Sequence, residues 1–285
     1  MFRSGLFFLV SLVAGQACDA QDIPAPVVPT PQSAQPQTPV SADETSTEKV
    51  ATNPEKGFDM DGWKRLVPDL ASEQKKMWLF PLSAARGRHL KPTVAVIGVT
   101  AGLIALDGYS ARYFQRKRSE YFTGFNKTFS GPRTGMTTIY VPLALYGIGL
   151  ARRDVYAQRT FLLAGQAVLT SEILTSVMKD ITRRNNPAVI PPGGDFTDTW
   201  FKKGARTYIA GAGSFPSGHT IAAFSVATAY AERYPKPGWH APVAYGLAGL
   251  VGFSRVTLES HYVSEVVLGA ALGYFIGRYV VHRVD

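Results

Sequence analysis

The sequence predicts an all-α protein, a helical bundle of about six core helices whose functional groups sit at helix starts and connecting loops. Three observations carry that prediction. Apolar runs rich in Ala, Gly, Leu and Val recur at 93–106, 137–151, 161–178, 219–231, 241–253 and 262–281, and their length favours helix over strand. Hydrophobic residues make up 46% of the chain and charged residues 18%, enough apolar mass for one sizeable core. The residues able to do chemistry gather at the ends of the later runs, between Lys179 and Glu265.

The chain begins with what reads as an export signal over residues 1–20. Arg3 gives a short positive region, 6–14 an apolar one, and Cys18, Asp19 and Ala20 a small-residue cleavage site. That apolar region is too short for a comfortable membrane span. Lipidation of Cys18 is the weaker alternative, because Gly15, Gln16 and Ala17 lack the usual aliphatic residue before the cysteine. Cys18 is the only cysteine, so disulfides contribute nothing. Residues 21–57 hold seven of the nineteen prolines and almost no large apolar side chain. Such a composition buries too little surface to offset chain entropy, and reads as a Pro/Thr/Ser-rich disordered linker.

From Phe58 to the end lies the third region, 58–285, with 27 basic and 15 acidic residues. A basic domain suits anionic lipid, phosphorylated substrates or nucleic acid. The export signal and the lack of a binding motif exclude nucleic acid, and no protein partner is implied. Arg112, Arg116, Lys117 and Arg118, and then Arg152, Arg153 and Arg159, flank apolar runs. They read as solvated helix ends or as contacts to lipid headgroups. Most runs span thirteen to eighteen residues, short of the ~20 needed to cross a bilayer. This favours a compact helical bundle exported to the bacterial periplasm and touching a membrane, ahead of an integral membrane enzyme. Parity points the same way. With the signal cleaved, three spans before Lys179 would put the site in the cytoplasm. The acidic pairs Asp59 with Asp61 and Asp195 with Asp198 read as loop residues rather than a calcium site. No metal site is expected.

Three clusters carry the chemistry. Pro216, Ser217, Gly218 and His219 open the run 219–231. Ser217 is a natural N-cap, the free N–H groups of the helix start favour an anion, and Gly218 lets backbone come close to it. His219 then stands in the first turn, placed to give a proton to a leaving oxygen. His261 and Glu265 are four apart at the start of the last run and share one helix face. The carboxylate can take the Nδ1 proton of His261, fix its tautomer and free Nε2 as a nucleophile. Arg255, six residues earlier, offers a guanidinium fork matched to phosphate. Lys179, Arg183, Arg184, Asn185, Asn186 and Pro187 close the run 161–178, placing cations at a helix C-terminus. Singly, each cluster also reads as ordinary capping, a helical hydrogen-bonded pair or dipole complementation. Together and in this order they point to a metal-free phosphate-transfer site.

These residues resemble the type 2 phosphatidic acid phosphatase and vanadium haloperoxidase superfamily, in particular its bacterial acid and lipid phosphatases. The family pattern is Lys-x6-Arg-Pro, then Pro-Ser-Gly-His, then Ser-Arg-x5-His-x3-Asp. The second motif is complete at 216–219, and the third fits Ser254, Arg255 and His261 but ends in Glu265. The first fits Lys179 and Pro187, with Asn186 at the arginine position and Arg184 two places earlier.

The resemblance implies that His261 forms a phosphohistidine, Glu265 orients it, and His219 protonates the leaving alcohol. Lys179, Arg184, Arg255, Ser217 and the Gly218 N–H would then hold the phosphate. It implies a metal-independent phosphatase acting on a phosphate ester or diphosphate of a lipid or small exported molecule, with no cofactor. Two alternatives follow from the same residues: a vanadium-dependent haloperoxidase with vanadate in the phosphate site, or a catalytically weak phosphate- or lipid-binding protein.

Overall fold

The computed structural model describes residues 57–87, 90–129, 131–202 and 213–283, all within one unit, Ala51–Asp285. The expected signal peptide and nearly all of the expected linker lie outside the described residues. Within them, eight α-helices and one 3₁₀ turn form, and no strand. In chain order the helices are α1 Met60–Ala85, α2 Leu90–Tyr121, α3 Thr123–Thr128, α4 Gly131–Arg152, α5 Val155–Thr182, α6 Gly218–Arg233, α7 His240–Thr257 and α8 Val263–His282, with the 3₁₀ turn Pro187–Val189 between α5 and α6.

The six apolar runs all became helices, five of them longer than the runs themselves, while α8 matches its run in length at twenty residues. Helix α2 extends through Arg112, Arg116 and Lys117, and α4 and α5 likewise take in flanking polar residues. Long basic side chains carry this extension, since they can lay their stems on apolar surface and keep the charge in water. The expectation of short runs is therefore corrected. Among the described residues, four helical stretches are long and apolar enough to cross a membrane, namely Leu90–Lys117, Arg133–Arg152, Val155–Val189 and Val263–His282. Helices α2 and α4 also present Val94, Ile97, Leu106, Ile139 and Leu143 outward, a surface suited to lipid.

Helices α1 and α3 were not anticipated. Helix α1 interleaves Asp61, Lys64, Arg65, Asp69, Glu73, Lys75 and Lys76 with apolar residues, so no continuous run marks it. It docks on α5 through polar contacts: buried Glu73 accepts from Gln166 Nε2 at 2.6 Å and from Thr170 Oγ1 at 2.8 Å. Burial pushes the Glu73 carboxyl above its ordinary range. Arg283 then fastens the chain end to Asp69 at 2.7 Å.

The core sits where α5, α6 and α8 meet, around Leu163, Ala167, Ile221, Ile276 and Val280. Helix α7 covers the other side of α6 through Ala223, Ala227 and Ala248. The closest approach is between α6 and α8, and glycines at every fourth position of α8 make it. A Cβ on Gly269 would lie 3.0 Å from the Ser217 carbonyl, one on Gly273 2.4 Å from the Ile221 carbonyl, and one on Gly277 2.5 Å from the Ser225 carbonyl. Small residues at this spacing let two helix backbones touch, and the contact locks the start of α6 against the start of α8.

Gly273→Ala is expected to destabilise the protein by about 1–3 kcal/mol, since the backbone, not a flexible side chain, must give way. Gly98, with nothing within 4 Å of its Cβ position, supplies the control. Gly98→Ala should be neutral or stabilising through helix propensity. Thermal unfolding midpoints of the two variants in detergent check this, and equal midpoints would remove the packing role of Gly273.

Candidate active site

The site is assembled from four chain segments: the end of α5, the start of α6, the end of α7, and the turn into α8. Asp154 starts α5 by accepting the Ala157 N–H at 3.0 Å, and Arg183 ends it in a left-handed conformation at φ 42°. Lys179 lies in the last turn of α5. Its Nζ comes within 3.9 Å of the Cβ position of Gly218, as does Oε1 of Glu172. Thr175 Cγ2 would lie tighter, 3.1 Å from a Cβ at 218, so glycine here serves close approach of α6 to α5. Lys179 also feels the charges of Glu172 and Glu265.

Ser217 is at the N-cap position of α6, but its hydroxyl pairs with Thr220 Oγ1 at 2.8 Å instead of capping a backbone N–H. Its own N–H donates to the Glu265 carbonyl at 3.3 Å, stitching the start of α6 to the start of α8. That leaves the first-turn N–H groups of α6 without a side-chain cap at the end where an anion is favoured. His219 is half-buried in the first turn, and a Cβ on Gly135 of α4 would lie 3.1 Å from its Nε2.

Helix α7 ends by turning back on itself. The Arg255 carbonyl accepts the N–H groups of both Ser260 and His261, at 3.0 and 3.1 Å, through a turn with Glu259 at φ 56°. His261 is thereby delivered just ahead of α8, not within it. This corrects the expectation that His261 and Glu265 share a helix face. Tyr262 is the N-cap, and Glu265 reaches back from the first turn in a capping box. Glu265 Oε2 takes the Tyr262 N–H at 3.3 Å and meets His261 Nδ1 at 2.8 Å. The pairing survives because a first-turn carboxylate also points toward the residues before the helix.

Arg255 is almost fully buried. Its Nη2 donates to the Phe129 carbonyl, to Thr134 Oγ1 at 3.0 Å and to Ser254 Oγ at 2.8 Å. Burial pushes its guanidinium down to about 10, which still leaves it charged at neutral pH.

Arg184 is the main correction to the expected phosphate grip. Its guanidinium lies behind Glu265. Nη1 donates to Glu265 Oε1 at 3.1 Å and Ser264 Oγ at 3.2 Å, and Nη2 donates to Asp107 Oδ2 at 2.8 Å. The rings of Trp200 and Tyr262 lie 4.4 and 3.9 Å from its carbon. With its donors committed to carboxylates, Arg184 is placed to support Glu265 rather than to replace the arginine absent at 186. Arg183 is exposed, its Nε on the Asp180 carbonyl at 3.1 Å. Asn186 precedes the 3₁₀ turn, and its Oδ1 is buried without a partner among the described residues.

Sequence reasoning missed Asp107, Ser214 and Ser264. Ser214 donates to Glu265 Oε1 at 2.7 Å, and Ser264 donates its N–H to Asp107 Oδ1 at 3.1 Å. One signal was available: a lone carboxylate at the end of the apolar run 93–106 is costly in a helix fit to cross a membrane. Of the acidic pairs set aside as loop residues, Asp59, Asp195 and Asp198 lie in loops, whereas Asp61 lies in the first turn of α1. Asp59 accepts the Gly62 N–H at 2.9 Å, Asp195 the Thr197 N–H at 2.8 Å, and Asp198 pairs with Lys202. Among the described residues no group of three His, Cys, Asp or Glu is placed to hold a metal ion. A cleft of about 830 Å³ opens beside the 258–259 turn, between Gln115, Asn126 and Lys127 on one side and 188–192 on the other.

Comparison with known proteins gives three matches. Residues 160–285 match the family model described as the PAP2 superfamily. A stretch of 68 residues is 39% identical to a lipid A 1-phosphatase of Porphyromonas gingivalis, covering 24% of this chain and 15% of that protein. The crystal structure of a transmembrane PAP2-type phosphatidylglycerolphosphate phosphatase from Bacillus subtilis aligns over 67% of this chain and 94% of that one, at 20% identity and a TM-score of 0.39. The segment from residue 160 to residue 285 that matches the PAP2 superfamily holds Lys179, the 216–219 motif, Arg255, His261 and Glu265 together.

Proposed function

We propose that this protein is a membrane phosphatase that removes a phosphate group from a lipid through a phosphohistidine at His261. The observation that carries the reading is the buried pair of His261 Nδ1 and Glu265 Oε2 at 2.8 Å. It leaves Nε2 as the ring nitrogen available to a substrate. Lipid as substrate rests on the four described helices fit to cross a membrane and on the lipid A 1-phosphatase to which a 68-residue stretch is similar.

The steps follow from the groups present. Nε2 of His261 attacks phosphorus, and the bond from phosphorus to the leaving oxygen breaks as the P–N bond forms. His219, protonated, gives its proton to that leaving oxygen. Glu265 balances the positive charge on the imidazole ring. A water then attacks phosphorus, His219 takes its proton, the P–N bond breaks and inorganic phosphate departs. Lys179, Arg255, Ser217 and the Gly218 N–H hold the phosphoryl oxygens, where preorganised donors stabilise the charge of the transition state. Substrate choice would fall to the cleft lined by the loop after α5 and by α2 and α3.

Purified full-length protein in detergent should release phosphate from phosphatidate, phosphatidylglycerophosphate, a polyprenyl diphosphate or a lipid A preparation with no added metal. Absence of turnover on all of them, and on soluble aryl phosphates, would reject the reading.

Gly135 gives a second handle. A methyl at 135 would press on His219 Nε2, so Gly135→Ala should lower kcat roughly tenfold by misplacing the proton donor. A variant with wild-type kcat for both an alkyl ester and an activated aryl ester would separate His219 from the leaving group.

A further inference from the structure

We propose that Asp107 and Arg184 are positioning residues that hold Glu265 ionised and aligned on His261, which makes α2 part of the catalytic unit. The inference rests on the phosphatase reading of His261 and Glu265, and it reaches outside the family segment, since Asp107 precedes residue 160.

Glu265 is fully buried. An isolated buried carboxylate would cost several kcal/mol to keep ionised, so it needs a matched cation. Arg184 is that cation, yet its fork is divided: Nη1 serves Glu265 and Nη2 serves Asp107. Ser264 joins the two arms, accepting from Nη1 at 3.2 Å and donating its hydroxyl to Asp107 Oδ2. Trp200 and Tyr262 fix the plane of the guanidinium from the side, so Glu265 cannot swing without moving a stacked group.

The charge count explains why a second carboxylate is present. One guanidinium with Glu265 alone would be neutral, and would offer a positive imidazole ring little stabilisation. Adding Asp107 leaves the buried triad one negative charge in surplus, while Lys179, which also acts on Glu265, is offset by Glu172. That surplus faces His261 at the step where its ring becomes positive, and it is drawn from a helix the sequence places more than 150 residues before Glu265.

The test compares Asp107→Asn with Ser264→Ala in full-length protein in detergent micelles, against wild type. Two readouts are taken: kcat and KM on phosphatidate, and the downfield ¹H resonance of the His261 Nδ1 proton in ¹⁵N-histidine-labelled protein, assigned by its loss in His261→Gln. Asp107→Asn should lower kcat about 10–100-fold, the usual size for an outer partner of a catalytic group. KM should stay within about twofold, and the Nδ1 resonance should move upfield. Ser264→Ala should move both in the same direction by less. A drop in thermal midpoint and kcat with the Nδ1 resonance unmoved would mean the triad is only structural, and would overturn the proposal. So would wild-type kcat in a folded Asp107→Asn. If that variant does not fold, Ser264→Ala decides by the same readouts. A wild type inactive on every lipid phosphate would sink the phosphatase reading, while the proton resonance still decides the positioning role.

Discussion

Replacement of His261 by alanine is expected to lower kcat by about 10⁵-fold or more, the scale seen when a covalent nucleophile is removed. His261 is the imidazole whose Nδ1 meets the fully buried Glu265 carboxylate, at 2.8 Å. His219 sits at the start of α6, near Gly135, and the remaining described pair, His282 with Glu232, lies on the surface at 3.0 Å. The rest of the phosphate grip stays intact in the variant, so substrate binding should persist while turnover stops. Rapid acid quench and mass spectrometry of wild-type protein should find phosphate on His261 during turnover. A His261→Ala protein that retains more than a few per cent of wild-type kcat, or phosphate mapped to a different residue, would end the phosphohistidine mechanism.

Glu265→Gln is expected to lower kcat roughly 10³–10⁴-fold, and the reason is tautomer as much as charge. Four donors converge on this carboxylate: Arg184 Nη1, Ser214 Oγ, the Tyr262 N–H and His261 Nδ1. An amide has one acceptor oxygen and one donor nitrogen. With its oxygen kept on Arg184 and Ser214, its NH₂ must face His261. Nδ1 then becomes the acceptor, and the ring proton moves to Nε2, the atom that has to attack. Glu265→Asp keeps the charge and follows the family pattern, so it should retain much of the activity. Stopped-flow turnover of the two variants, with circular dichroism as a check on folding, separates these outcomes. Comparable rates for Glu265→Gln and wild type would leave the pair with a purely structural role.

Much of the site was legible because its residues fall into local patterns. A Pro-Ser-Gly-His start, a His and Glu four apart, and an Arg six before the His each lie within one or two turns of chain. Short-range spacing is what a sequence displays directly. The details of those patterns still shifted on folding. His261 and Glu265 met across a helix cap instead of along a face, and the Ser217 hydroxyl turned to Thr220. Helix lengths were underestimated because an apolar run marks only the part of a helix facing lipid or core, while polar ends continue the same hydrogen-bonded ladder.

The sequence by itself determined the helical class, the six core helices, and the identity of the residues at the ends of α5, α6 and α7 and the start of α8. Tertiary structure alone decided which of two adjacent arginines turned inward, and toward what. Arg184 and Arg183 differ by one position, and a left-handed residue at φ 42° sends one side chain into the protein and the other to its surface. It alone decided that Asp107 of α2 completes the charge around Glu265, and that glycines 269, 273 and 277 bring α8 onto α6. These are contacts between residues far apart in the chain. Their energies depend on burial and approach distance, which exist only once the helices have packed.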